Sequence, residues 1–350
     1  MAADPALARE VEAVGWDGQL FMDSPALGPD PWVLAGAWAA RTERLWLGPG
    51  VTNPLTRHPA VTAACAATLQ ALSRGRAVLG IGRGDSALAH LGAGPARLHQ
   101  FGAALDALKA LLRGGAVPFG AHPLTRAAPP LEELSLGGRP EATRLHWLDP
   151  ALPPVPLDVA ATGPRVIERA AVVADRVTFS VGAEPERLAW ALERARAARR
   201  AAGLSPDADW GAQVIVVCHP QVEAVLPAAA SFTAPLARFQ VLQGPPQGPW
   251  DEPSRDNLVR LAHYDMRRHA RPVDEGKLGG ARLDEAFVRR FAVVGPPEHC
   301  IERLLALIRL GIRRFAVVGP GYHPEWEARG PGLFAREVMP AVRAEARRGL

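Results

Sequence analysis

Short runs of branched or small apolar residues alternate with longer stretches of Ala, Leu and Arg along almost the whole chain, and this alternation restricts the fold more than any other feature. A strand covered on both faces reads as a continuous apolar run, and an amphipathic helix after it returns the chain to lay down a parallel neighbour. The pattern predicts strands at 19–23, 45–51, 77–82, 157–161, 176–181, 213–219 and 314–318. It predicts helices at 4–14, 30–41, 59–72, 95–112, 164–174, 185–202, 297–309 and 333–348. Several of these helices open on proline, which suits the first helical position, and Gly15 is placed to end the first.

Seven such strands imply an α/β fold of the TIM (β/α)8-barrel type, one strand short. The vacancy falls before the first helix, so the first strand is expected to be absent or replaced. The whole chain, 1–350, reads as a single domain with two long insertions, about 114–156 and 231–280, both rich in Pro and Gly. Loops this long belong at the functional end of a barrel. The hexapeptide FAVVGP occurs at 291–296 and again at 315–320. The first copy reads as the entry to a helix and the second as the last strand.

Composition narrows the function. With 48% hydrophobic residues the chain can fill a large core. Forty basic and 36 acidic residues leave a net charge of +4, and the only lysines are Lys109 and Lys277. The arginines are scattered, the densest groups being Arg194, Arg196, Arg199 and Arg200, then Arg267, Arg268 and Arg271. Neither group is the long basic stripe that nucleic acid demands. Cys65, Cys218 and Cys300 lie far apart without metal-ligand spacing, as in a reduced compartment. The charged N-terminus lacks the apolar run of a signal peptide, and no stretch has membrane-spanning length. A cytoplasmic protein with a small-molecule substrate is expected, with neither a membrane nor a nucleic-acid partner.

In a barrel of this kind the residues that follow each strand build the site. Here they are Asp23-Ser24, Gly50-Val51-Thr52-Asn53-Pro54, Gly82-Arg83-Gly84-Asp85-Ser86, Ala160-Ala161-Thr162-Gly163-Pro164 and Ser180-Val181-Gly182. Small residues let a planar ring or a phosphate approach the backbone, although turns are rich in them for local reasons too. At Ala161–Pro164 a strand ends, Gly163 turns the chain and Pro164 starts a helix, whose first amides suit a phosphate. Gly82-x-Gly84-x-x-Ala87 is a variant of the dinucleotide fingerprint, but the acid at the required distance, Asp106, falls inside a helix instead of ending a strand. His263, Asp265 and His269 fit a solvated face as well as a metal site, so no metal is assigned. The sequence contains neither a G-x-S-x-G elbow nor a P-loop.

Taken in order, these segments resemble a family. TNPLTRHPAVTAACAATLQALSRGRAVLGIGRGD (52–85), PLDVAATGPRVIERAAVVADRVTFSVGA (156–183) and RRFAVVGPPEHCIERLLALIRLGIRRFAVVG (289–319) resemble luciferase-like monooxygenases. They are nearest the branch of coenzyme F420-dependent methylenetetrahydromethanopterin reductases. The resemblance implies a TIM barrel, commonly dimeric, that transfers hydride to or from a non-covalently held deazaflavin. FMN is the alternative cofactor, with monooxygenase chemistry, and a non-catalytic paralogue is the third possibility. By position, Asp23 matches an acid beside the cofactor, and Asp23 or Asp85 takes the proton-handling role. Gly50-Val51 matches a bulge that often carries a cis peptide behind the ring. Asn53, Gly82, Gly84 and Asp85 match the ring-side loop, and Arg83 is a candidate for an anionic part of cofactor or substrate. Ala161, Thr162, Gly163 and Pro164 match the phosphate turn, with Ser180, Val181 and Gly182 beside it. The family's N-terminal strand, with its acidic residue, has no counterpart here.

Overall fold

The protein is described by a computed structural model over residues 4–123, 129, 131–269, 283–319 and 332–348. It divides into two compact units, residues 17–158 and residues 1–16 with 159–350. The chain opens on α1 (Leu7–Val14). Asp4 and Pro5 lie in a turn ahead of this helix rather than within it, and the Asp4 carboxylate accepts from Ala6 N at 2.8 Å. Gly15, at φ 99°, ends the helix as expected. No strand precedes it among the described residues.

The unit 17–158 begins with β1 (Gly18–Phe21), α2 (Pro31–Ala39), β2 (Trp46–Pro49), α3 (Pro59–Leu72) and β3 (Leu79–Ile81). β1 and β2 pair in parallel, Gly18 opposite Trp46 and Phe21 opposite Pro49. Parallel bridges Leu47–Ala77 and Thr52–Ile81 tie β2 to the third strand. Asp30 caps α2 by accepting from Trp32 N and Val33 N at 2.9 and 3.1 Å. The other end of α2 is closed by Arg76, whose guanidinium donates to the carbonyls of Ala39, Thr42 and Leu45. That satisfies carbonyls a helix terminus otherwise leaves open. α4 (Ser86–Ala89) and α5 (Leu98–Leu111) follow. In the 114–156 stretch, β4 (Val117–Pro118) and β5 (Ala142–Thr143) pair antiparallel. Trp38, Leu45, Leu47, Leu79, Ile81, Phe101, Leu105 and Leu108 are fully buried here.

β6 (Leu157–Ala161) spans the division between the units. After it come α6 (Pro164–Val173), β7 (Arg176–Phe179), α7 (Pro185–Ala201) and β8 (Asp209–Cys218). Next are α8 (Val222–Ala237), α9 (Glu252–Leu261), α10 (Glu285–Phe291), β9 (Val293–Gly295), α11 (Pro297–Leu310), β10 (Arg314–Val318) and α12 (Met339–Arg347). The strand order is β6-β7-β8-β10, with β9 also paired to β8. β8 is long enough to pair in parallel with β7 over Asp209–Ala212, with β10 over Gly211–Ile215 and with β9 over Val216–Cys218. The apolar face of α1 is covered within this unit, where Trp16 stacks on Phe334 at 5.7 Å.

Two differences from the sequence reading are instructive. The first FAVVGP contributes a strand, Val293–Gly295, before the helix it was expected merely to enter. Three residues are too few to show a period. Ser231 lies inside α8, which carries Pro227 and Pro235 and so reads from sequence as irregular. Its apolar side packs with α9, α10 and the end of β8 in a cluster that includes Ile215, Val225, Trp250, Leu258 and Phe287. Of the segment expected at 231–280, residues 270–280 lie outside the described residues.

Candidate active site

The strand ends of the unit 17–158 carry a buried ionic network. Asp23 is 2% exposed, two residues beyond β1. Its Oδ2 accepts from Thr52 Oγ1 at 2.6 Å and from Arg57 Nη1 at 2.5 Å. Arg57 Nη2 reaches Asp30 at 2.6 Å. Burial lowers the pKa of the Arg57 guanidinium, yet the attraction of Asp23 and then Asp30 outweighs it, and the net direction is upward. Arg57 was not singled out from sequence; the signal available was Asp23 itself, since an acid at a buried strand end calls for a counter-charge.

Thr52 and Asn53 are 0% and 1% exposed. Asn53 Oδ1 accepts from Leu55 N and Thr56 N, both at 3.0 Å, so its amide orientation is fixed. Asn53 Nδ2 is buried without a partner in the protein. A buried donor left this way costs free energy unless a ligand or water accepts from it. The peptide Gly50–Val51 is cis. Gly50 N donates to Phe21 O, Thr52 N to Gly80 O and Gly82 N to Thr52 O, which draws the three strand ends together. Gly84 adjoins Asn53: a Cβ there would sit 2.4 Å from Leu88 Cδ1 and 3.1 Å from Asn53 Cβ. The structure thus gathers Asp23, Gly50, Val51, Asn53, Gly82 and Gly84. Arg83 Nε is turned to the Ala96 carbonyl at 2.7 Å, and Asp85 stands at the start of the short α4.

In the other unit the described ends of β6 and β7 are lined by hydroxyls and amides. Ser180 N donates to Ala161 O at 2.9 Å, joining β6 to β7. Thr162 Oγ1 donates to the Ser180 carbonyl at 3.3 Å, and Gln240 Nε2 donates to the same oxygen at 2.9 Å. Ser180 Oγ donates to Gln213 Oε1 at 2.8 Å. Gln213 and Gln240 were also not foreseen, because a lone glutamine in an apolar or irregular stretch carries no distinguishing pattern. Gly163 caps α6 with Pro164 at its first position, and nothing lies within 4 Å of a Cβ built on Gly163. Val181 and Gly182 complete the turn, with Gly182 at φ 88° against the Phe291 ring.

The chain is 27% identical over 324 residues to an F420-dependent glucose-6-phosphate dehydrogenase of Microbacterium testaceum, covering 89% of this chain and 82% of that protein. It is 26% identical over 276 residues to a 5,10-methylenetetrahydromethanopterin reductase of Archaeoglobus fulgidus, covering 78% and 76%. Among solved structures, an F420-dependent secondary alcohol dehydrogenase in complex with an F420-acetone adduct superposes with a TM-score of 0.70 at 18% identity. That match covers 97% of this chain and 94% of the dehydrogenase, and it shows a shared fold. Residues 3–314 match the luciferase-like monooxygenase profile, and the chain belongs to that family.

Proposed function

We propose that this protein is a coenzyme F420-dependent oxidoreductase that transfers hydride between the deazaflavin and a small organic substrate. The observation that carries the reading is the buried, unpartnered Asn53 Nδ2 beside the Asp23–Thr52–Arg57 network. It is a fixed donor at a strand end that lacks an acceptor in the protein, and two of the relatives named above are F420-dependent enzymes. Within residues 159–350, the open space at Gly163 leaves room for a ligand at the start of α6. The residues fit the cofactor. Gly50, Val51, Asn53, Gly82 and Gly84 are assigned to the ring side, and Arg83 to an anionic part of cofactor or substrate. Ala161, Thr162, Gly163, Pro164, Ser180, Val181 and Gly182 are assigned to the phosphate side.

When bound, the deazaflavin supplies hydride chemistry, and the protein supplies position, polarity and exclusion of water. Asn53 donates a hydrogen bond from a side chain that cannot rotate. Asp23 is held in one orientation by Thr52 and Arg57. Asp23 and Asp85 are the two candidates for handling a proton. A homodimer is proposed as well. α2 and α3 present an apolar groove lined by Trp32, Val33, Val61 and Leu72, with Val33 72% exposed and Leu72 61% exposed. No described helix is long and apolar enough to cross a membrane.

The deciding experiment is a side-by-side titration of the purified protein with F420 and FMN, followed by absorbance and fluorescence. Tight F420 binding is expected. Tight FMN binding without affinity for F420 would move the protein to the monooxygenase side of its family, and binding of neither would mark a non-catalytic paralogue.

A further inference from the structure

Arg187, near the start of α7, is 1% exposed and enters no carboxylate pair among those found for the described residues. Its guanidinium lies between the rings of Trp190 and Trp250, 4.6 and 4.1 Å from their centroids. Nη1 donates to the Gln247 carbonyl at 2.5 Å, and Nη2 donates to Gln240 Oε1 at 2.9 Å. Nε is buried without a partner. Burial pushes this guanidinium down to about 10, well below the ordinary arginine value. The stretch between α8 and α9 is wrapped closely over it: Gly248, at φ +87°, would place a Cβ 2.2 Å from Arg187 Nη1. Any side chain at 248 would push this loop off the guanidinium.

A buried cation is a costly way to fill space, and apolar side chains of similar volume commonly do it as well or better. What a guanidinium offers is direction, because it donates only. Facing it, Gln240 must present its oxygen, and its amide nitrogen then lies on the other side, 2.9 Å from the Ser180 carbonyl. A flipped amide would set N–H against N–H and oxygen against oxygen. Thr162 supplies the second donor to the Ser180 oxygen. The Ser180 carbonyl and the Val181 N–H belong to one planar peptide, so fixing the first fixes the second.

We propose that Arg187 is a positioning residue for the cofactor-binding end of β7, acting through Gln240 to lock the Ser180–Val181 peptide in one orientation. This rests on the assignment of Ser180 and Val181 to the phosphate side given above. Arg187 touches no ligand itself.

The discriminating variant is Gln240→Glu. It keeps the acceptor that Arg187 uses, now as an ion pair, and removes the donor that Ser180 uses. Two quantities are read: hydrogen exchange of the amides at 180–183 in the ligand-free protein, and the Kd for F420. The expected result is a melting temperature at or above the parent's, faster exchange at 180–183, and a Kd weakened about tenfold. Arg187→Met should speed the same exchange, and parental exchange in that variant would equally overturn the proposal; if it fails to fold, Arg187→Lys, which keeps the charge but not the planar fork, takes its place with the same outcomes. Parental exchange and parental Kd in Gln240→Glu would overturn the proposal. If the parent itself does not bind F420, the functional reading falls, yet exchange still decides the clamp: faster exchange sustains it and unchanged exchange removes it.

Discussion

The two units stiffen their strand ends by opposite means. In residues 17–158 a buried carboxylate, Asp23, meets its counter-ion directly, and Arg57 bridges on to Asp30. Beyond residue 159 the corresponding ends hold hydroxyls and amides, and the cation that orders them, Arg187, stands behind a glutamine. The contrast separates two uses of a buried arginine. One neutralises a charge, and removing it exposes that charge to a low-dielectric surrounding. The other orients dipoles, and removing it leaves only dipoles unsatisfied.

The first and largest expected effect follows from that difference. Arg57→Met leaves Asp23 buried and unpaired, and breaking a buried pair from one side costs about 3–5 kcal/mol. Arg187→Met leaves Gln240 Oε1 without its donor, while the Gln247 carbonyl keeps Trp250 Nε1 at 3.2 Å, a loss of about 1–3 kcal/mol for an unsatisfied buried dipole. Urea unfolding of both variants at neutral pH measures the order. A larger loss in Arg187→Met than in Arg57→Met would break the distinction drawn between the units. A double variant, Asp23→Asn with Arg57→Met, sharpens it by recovering part of the stability lost in Arg57→Met alone.

Next in size is a pair of glycines, one in each unit. Gly84 has φ +86°, and a Cβ there would collide with Leu88, so Gly84→Ala should cost about 1–3 kcal/mol of stability through strain and overpacking. Gly163 has φ −85° and open space around its Cβ position. Gly163→Val should therefore keep a cooperative melt close to the parent's while weakening F420 binding by at least about tenfold. Calorimetry and a cofactor titration on the two proteins test both halves of the comparison. Parental affinity in Gly163→Val would show that the turn is structural only.

The sequence was most legible where an element is long and its ends are chemically marked. Helix 59–72 opens on Pro59 and coincides with α3, and strands 157–161 and 314–318 coincide with β6 and β10. It was least legible after β8. There α8 contains two prolines, β9 is three residues long, and the helices are recognised by packing on one another rather than by caps. Among candidate site residues, strand ends announce themselves by small and polar residues after an apolar run, as at Asp23, Asn53 and Gly163. Arg57, Gln240 and Arg187 act across gaps of 34, 60 and 53 residues. No local pattern encodes such partners. Gly82-x-Gly84-x-x-Ala87 shows the converse, a familiar spacing in which Gly84 packs closely against Leu88 and Asn53.

The smallest effect expected sets a surface aspartate against the buried one. Asp251 caps α9, accepting from Ser254 N at 2.8 Å, and lies 3.0 Å from Arg290. The hydrogen bonds from Ser254, helped by Arg290, hold its carboxyl below the ordinary aspartate range. A folded-state pKa lower than the unfolded one means that this group adds stability above the unfolded value of about 3.9. That contribution is lost as the pH falls through the folded value. Asp251→Ala should therefore cost about 1 kcal/mol at neutral pH, the usual loss for a helix cap. The gap between parent and variant should close as the medium is acidified below about pH 4. Asp251→Asn keeps a cap acceptor without the charge, so its deficit should be smaller at neutral pH and should shrink on acidification by the same amount, because neither variant carries the titrating group. Unfolding midpoints in urea, taken from neutral pH down to about pH 3, measure all three proteins. A gap that stays constant with pH would show that the Asp251 charge contributes nothing to the cap.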